Sequence, residues 1–158
     1  MRNFLLIFLL ALTAADAAPA KPDAPPDISG TWILNVNQSK LPKGDPTHSE
    51  TIVIACSGSQ IAMRDNVDGK RSTTMYYLDG KEHPFAEVEG GEDLRKAHWK
   101  KNILVIETVA RVKAQNSALN GSALWRLQDR WSLSADGRVL TEKSEGFDTP
   151  EVRVYEKQ

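Results

Sequence analysis

The sequence predicts an all-β fold, an antiparallel up-and-down β-barrel of about ten strands. Three observations carry that reading. From Gly30 onward, short runs rich in Val, Ile, Thr, Leu and aromatic residues recur at even spacing. Each run gives way to a turn signal, usually a pair containing Gly or Asn, residues that accept positive φ in hairpins. No long segment keeps helical periodicity without a Gly, Pro or β-branched interruption.

The elements follow in chain order. Arg2 supplies a positive charge, Phe4 to Leu12 is an unbroken apolar run, and Ala15-Asp16-Ala17 places small residues where a signal peptidase reads. Residues 1–17 therefore read as a cleaved signal peptide and imply a periplasmic or secreted protein. A membrane anchor would need about 20 apolar residues, roughly twice this run, so no stable membrane insertion is expected after cleavage. The only cysteine, Cys56, lies far from the cut, so no lipid anchor is implied. Residues 18–27 carry Pro19, Pro22, Pro25 and Pro26 and no large aliphatic or aromatic side chain, the composition of a stiff solvated leader. Residues 28–158 make one β-barrel domain able to bury a sizeable core.

Within that domain the strands centre on Trp32, Val53, Ala62, Thr74, Pro84, Ala97, Ile106, Leu127, Leu140 and Val154. Turns are marked by Ser57-Gly58, Asp68-Gly69, Asp79-Gly80, Gly90-Gly91, Lys101-Asn102, Asn120-Gly121, Asp136-Gly137 and Glu145-Gly146. Alternation is clearest where Trp125, Leu127, Asp129, Trp131 and Leu133 share one face, opposed by Leu124, Arg126, Gln128, Arg130 and Ser132. The run from Ile103 to Ala110 is apolar on both faces, so its outer side calls for cover from the leader or a neighbour. Pro84 cannot donate to a ladder and suits an edge, a bulge or a gap. Cys56 ends the apolar run from Ile52 and reads as a buried small hydrophobe; without a second cysteine there is no internal disulfide.

Sequential hairpins close most simply into a barrel, which removes exposed edges. About ten strands leave a cavity, whereas about eight leave room only for side chains or one small ligand. Charge excludes other partners. The chain holds 20 Lys and Arg against 21 Asp and Glu, a net −1, and loss of Arg2 and Asp16 with the signal segment leaves that value unchanged. Such a balance offers no footprint for nucleic acid. The densest basic stretch, Arg95 to Lys101, follows Glu89, Glu92 and Asp93 and reads as a solvated strand face.

Two segments carry a family resemblance. Ile28-Ser29-Gly30-Thr31-Trp32 resembles the Gly-x-Trp signature of lipocalins and fatty-acid-binding proteins, the calycin group, and Val152-Arg153-Val154-Tyr155 is similar to the Arg-x-Tyr strand that ends fatty-acid-binding proteins. Leu78-Asp79-Gly80-Lys81 and Trp131-Ser132-Leu133-Ser134-Ala135-Asp136-Gly137 look like a group of exported bacterial proteins. The resemblance implies a lipocalin-like barrel in which Arg153 and Tyr155 point inward and hold a ligand carboxylate. A guanidinium fork and a phenol suit that task. The competing role, drawn from lipocalins, stacks Arg153 on the Trp32 indole at the closed end. One departure stands out: where fatty-acid-binding proteins insert two helices as a lid, residues Gln38 to Glu50 hold a short loop with Pro and Gly, which predicts an open mouth.

Other chemistry is sparse. His48, His83 and His98 lack zinc-site spacing, so no metal is expected; His98 beside Trp99 is the first choice for a haem ligand, a reading weaker than a packed or surface histidine, and no cofactor is expected. Asp129 interrupts an apolar face and must be hydrogen-bonded, paired or neutralised, with Arg111 or Arg153 as candidate partners or a local twist to carry it to solvent. Glu89-Gly90-Gly91-Glu92 reads as a hairpin turn, since its acids would repel phosphate. No G-x-S-x-G elbow, Cys-His pair or phosphate loop points to catalysis. The expected function is binding of a small hydrophobic or amphipathic ligand, with Trp32, Trp125, Trp131 and their neighbouring leucines as the apolar interior and Arg153, Tyr155 and Asp129 as polar groups. The rival is a solid barrel acting as an envelope interaction module or protease-inhibitor-like protein, its contact loops Gln38 to Glu50 and Ala114 to Gly121.

Overall fold

The computed structural model describes residues 24–88, 91–112, 123–146 and 150–158, and the side chains of 87, 88, 123 and 124 fall outside the description. Ten strands follow one another: β1 (Gly30–Leu34), β2 (Glu50–Ser57), β3 (Gln60–Val67), β4 (Lys70–Tyr77), β5 (His83–Val88), β6 (Gly91–Lys100), β7 (Ile103–Val112), β8 (Ala123–Leu133), β9 (Val139–Glu145) and β10 (Glu151–Lys157). Each predicted strand centre falls inside one of them. They form one antiparallel sheet in the order β4-β3-β2-β1-β10-β9-β8-β7-β6-β5, a meander that curls until the first and last strands pair. The result is a nearly closed up-and-down barrel, open only between β4 and β5.

Pro84 explains one side of that opening. β5 is an end strand of the sheet, and its register against β6 shifts between Pro84 and Ala86. Side chains bridge what the ladders leave. Arg95 of β6 donates from Nη1 to the Tyr76 hydroxyl on β4 at 3.1 Å, and its guanidinium lies 3.3 Å from the Phe85 ring centroid. Tyr77 stacks on His83 at 4.4 Å between centroids, while His83 Nε2 lies 3.0 Å from Asp79.

The period of two sets the interior. Trp32 and Leu34, Ile52 and Ile54, Ile61 and Met63, Leu104 and Ile106, with Ala97, Trp131, Leu140 and Tyr155, pack into one buried cluster with Ile28. Trp32 is fully buried and donates its indole N–H to the Ile28 carbonyl at 2.9 Å. Gly30 precedes it at φ 141°, a conformation that side chains resist, and an added Cβ would sit 3.0 Å from Lys157 Cε. This is the physical content of the Gly-x-Trp signal. The cation over Trp32 is Lys157, 5.2 Å from the ring, in place of the expected Arg153.

One further expectation is corrected. Cys56 is exposed. It has the register of Ile52 and Ile54 but lies at the rim, beyond the packed layers. The outer side of β7 is covered at Val105 and Val109, both buried, which are flanked cross-strand by Arg130 and Arg126; long stems over apolar surface give such cover. The leader segment before residue 24 and the predicted turns at Gly90 and Asn120-Gly121 lie outside the described residues.

Candidate functional site

The barrel has two unlike ends. At one, tight connections follow β2, β4, β6 and β8, and the interior is the apolar cluster just described. At the other, where β1, β3, β5, β7 and β9 end, the inward register turns polar. Two residues beyond Ile52 comes Glu50; beyond Met63, Asp65; beyond Leu140, Glu142 and Ser144; beyond Trp131, Asp129; beyond Tyr155, Arg153 and Glu151. The chain thus builds an apolar floor beneath an ionisable layer, with no residue leaving its alternation.

Arg153 and Tyr155 face inward as expected, but protein partners occupy both. Arg153 donates from Nη1 to Glu50 at 2.6 Å, from Nη2 to Asp45 at 3.0 Å, and from Nε to Glu151. Burial works to lower its pKa, yet Glu50 and Glu151 hold it above the ordinary arginine value. Tyr155 is fully buried; its hydroxyl lies 3.1 Å from Glu50 Oε1 and 3.3 Å from Glu142 Oε2, one proton between two carboxyls. Burial and those two acids push the phenol far up. Burial also raises the carboxyls of Glu50, Asp65 and Asp129. Glu142 is held well above the usual range by burial, with Asp129 and Glu50 adding to the rise.

Asp129 stays inside, accepting from the Ser144 hydroxyl at 2.7 Å. Neither expected arginine pairs with it: Arg111 bonds Glu82 at 2.7 Å, and Arg153 is held elsewhere. Trp131 is 5% exposed and stacks on Tyr155 at 5.8 Å, while Trp125, in the same register nearer the rim, is 46% exposed. Trp32 belongs to the floor. Tyr155, Trp131 and Asp129 therefore come together, with Trp125 above them. Sequence reading missed Glu50, Asp45, Glu142 and Arg95. The first and third were visible as acids continuing an apolar face at a spacing of two; Asp45 sits in a loop with no such signal.

Loop 35–49 carries no helix. It zips onto β10 through the Lys40–Val152 bridge and a Ser39 hydroxyl that accepts the Val154 N–H at 2.9 Å, and Asp45 then ties it to Arg153. No helix is present among the described residues, and none is arranged in a group of three His, Cys, Asp or Glu to hold a metal.

No family model and no curated protein matches the sequence. Solved structures do match the fold. A fatty acid transporter, REP1-NXSQ, superposes at a TM-score of 0.59 with 12% identity, covering 83% of this chain and 96% of its own. Fatty-acid-binding protein 1 of Echinococcus granulosus gives 0.57 at 13% identity over 82% and 96%. The chain shares their barrel fold. An abundant heat soluble (SAHS) protein of Ramazzottius varieornatus, at 0.57, 16% identity and 82% and 94% coverage, shares the same fold. At these identities the likeness concerns the fold, and the site of this barrel rests on its own residues.

Proposed function

We propose that this calycin-type barrel is exported and binds a small apolar or amphipathic molecule at its polar end. The observation that carries the reading is the inward face of β8, where exposed Trp125 and half-buried Leu127 adjoin Asp129 and the stacked Trp131–Tyr155 pair. Binding sites are mostly apolar with a few convergent polar groups. In this reading Trp125, Leu127 and Trp131 contact the apolar part and Asp129 and Tyr155 its polar end. Trp32 supports them from the floor, and Arg153 braces loop 35–49. The solved neighbours titled as a fatty acid transporter and a fatty-acid-binding protein support a carrier role.

Titration with the neutral fluorophore N-phenyl-1-naphthylamine tests it. Saturable binding is expected, weakened about 3- to 10-fold by Trp125→Ala through loss of aromatic contact. A non-saturable response, or one unchanged in the variant, overturns the proposal. For export, mass spectrometry of periplasmic or secreted material should find a chain starting near Ala18; intact Met1 in a membrane fraction would refute it.

A second reading has its own support. Grooves of about 350 and 430 Å³ run along the outer face of β7 and β8, between Val109, Arg126 and Glu145 and between Ile103, Val105 and Arg130. Exposed Ile103 lies in the second. A protein partner docking there fits an interaction module with a filled barrel.

A further inference from the structure

The polar layer carries more acid than base. Glu50, Asp65, Asp129, Glu142 and Glu151 face inward with Arg95 and Arg153 as the strand cations, and Asp45 joins them from the loop. Arg153 is shared by three of these acids and has no fork left for an incoming carboxylate. Arg95 is turned toward the β4–β5 opening, where it lies over Phe85 and bonds Tyr76. Arg95 lies within electrostatic reach of Asp65 and Asp129, which offset its charge, and with Glu142 and Glu151 beside them an anionic head group meets a layer richer in acid than in base.

A second, independent feature points to what does fit. Trp131 is nineteen-twentieths buried inside the barrel, cross-strand from Glu142 and against the Tyr155 ring, yet its indole N–H has no acceptor among the described residues. A buried donor left unmade is costly, so the position favours a ligand atom that accepts a hydrogen bond. Nearby carboxyl oxygens at Asp129 and Glu142 favour a group that donates one. A hydroxyl does both. An ammonium donates without accepting, and a carboxylate accepts without donating while adding charge of the wrong sign.

Resting on the ligand-binding reading above, we propose that the barrel selects an apolar molecule with a neutral hydroxyl head over the corresponding free acid. Its oxygen accepts from Trp131 Nε1, and its proton is donated to the Asp129–Glu142 side of the layer. Carboxylate selectivity by Arg153, the role its Arg-x-Tyr strand first implies, is replaced by exclusion of carboxylates.

Displacement of bound N-phenyl-1-naphthylamine from the purified protein near neutral pH by dodecan-1-ol, dodecanoate and dodecylammonium reads the selectivity directly. Dodecan-1-ol should displace at the lowest concentration, with dodecanoate at least about 10-fold weaker, since like-charge juxtaposition and a lost hydrogen bond act together. Dodecanoate equal to or tighter than the alcohol overturns this inference while leaving ligand binding intact. Dodecylammonium tighter than the alcohol overturns the hydroxyl assignment. A protein that never binds the fluorophore fails the ligand-binding reading itself and this one with it. Glu142→Gln should raise dodecanoate affinity about 3- to 10-fold and leave the alcohol within about 3-fold, the scale of one hydrogen-bonding or charge contact. Trp131→Phe should weaken the alcohol by about 3- to 10-fold on the same scale, with retention of the unmutated circular dichroism spectrum as the check on folding. An unchanged acid-to-alcohol ratio in a folded Glu142→Gln protein overturns it.

Discussion

Arg153 shows how one inward side chain can serve two opposite designs. A guanidinium aimed into a barrel is a ligand anchor when its fork is empty and a brace when protein carboxyls fill it. Here Glu50, Glu151 and Asp45 fill it, and removing the cation would strand them. Arg153→Met is therefore expected to cost about 3–5 kcal/mol near neutral pH, the usual penalty for breaking a buried pair from one side. Urea unfolding measures it; a cost below about 1 kcal/mol would mean water screens the cluster. Any ligand affinity should fall alike for acids and alcohols. The inward direction of Arg153 and Tyr155 was legible in the sequence because side chains alternate along a strand. Their partners were not. Glu50 lies 103 residues and Asp45 108 residues from Arg153, and only the register of the closed barrel brings them together. Cys56 failed for a related reason: alternation fixes which way a residue points, while its depth depends on where the barrel rim falls.

At the scale of elements, glycine marks where backbone approaches backbone. Gly146 follows β9 at φ 123°, and an added Cβ would collide with the carbonyl oxygen of Arg126 on β8. Gly58, in the β2–β3 turn at φ 54°, has open space around it. Gly146→Ala should cost more than about 3 kcal/mol because strain and collision add, whereas Gly58→Ala should cost about 1–2 kcal/mol from backbone strain alone. Chemical denaturation of the two variants separates the contributions, and equal costs would refute the close approach at Gly146. Both glycines were readable as turn signals, but nothing in the sequence distinguishes a turn in free space from one pressed on a neighbouring strand. Pro84 was more informative. Its missing N–H foretold the edge position and the irregular pairing that leave the barrel open beside β5.

For the whole molecule, the buried acids set the pH response. Glu50, Asp65, Asp129 and Glu142 all have raised carboxyls, facing Arg95, Arg153, Glu151, Tyr155 and Tyr76, whose own phenol is pushed up to about 12 by burial. Between the ordinary values of 3.8 to 4.5 and these raised ones, the folded state holds protons that the unfolded state has released. Stability therefore falls as pH rises through that window. Asp27, Asp45, Asp68, Asp79 and Asp136 act oppositely: hydrogen bonds lower their carboxyls below 3.8, so their contribution is present above that value and lost in stronger acid. Thermal unfolding should show a higher midpoint at about pH 5 than at about pH 7, with a decline below about pH 4. Glu142→Gln should flatten the upper limb, and a midpoint that climbs steadily from about pH 5 to about pH 7 would contradict the raised carboxyls.

The pairing of β1 with β10 also dictates an order of events in time. Trp32 meets Lys157, and the Gln158 N–H reaches the Thr31 carbonyl at 3.0 Å, so the strand that begins the barrel waits for the strand that ends it. Every hairpin from β2 to β9 can form between neighbours, but this seam closes a loop of more than 100 residues and bears the largest ordering entropy in the sheet. Until β10 arrives, β1 keeps one free edge, and Trp32 lacks the lysine that lies over it. A chain emerging from a ribosome thus stays an unsealed ribbon until β10 is released, which makes that seven-residue strand the latch that turns a sheet into a barrel.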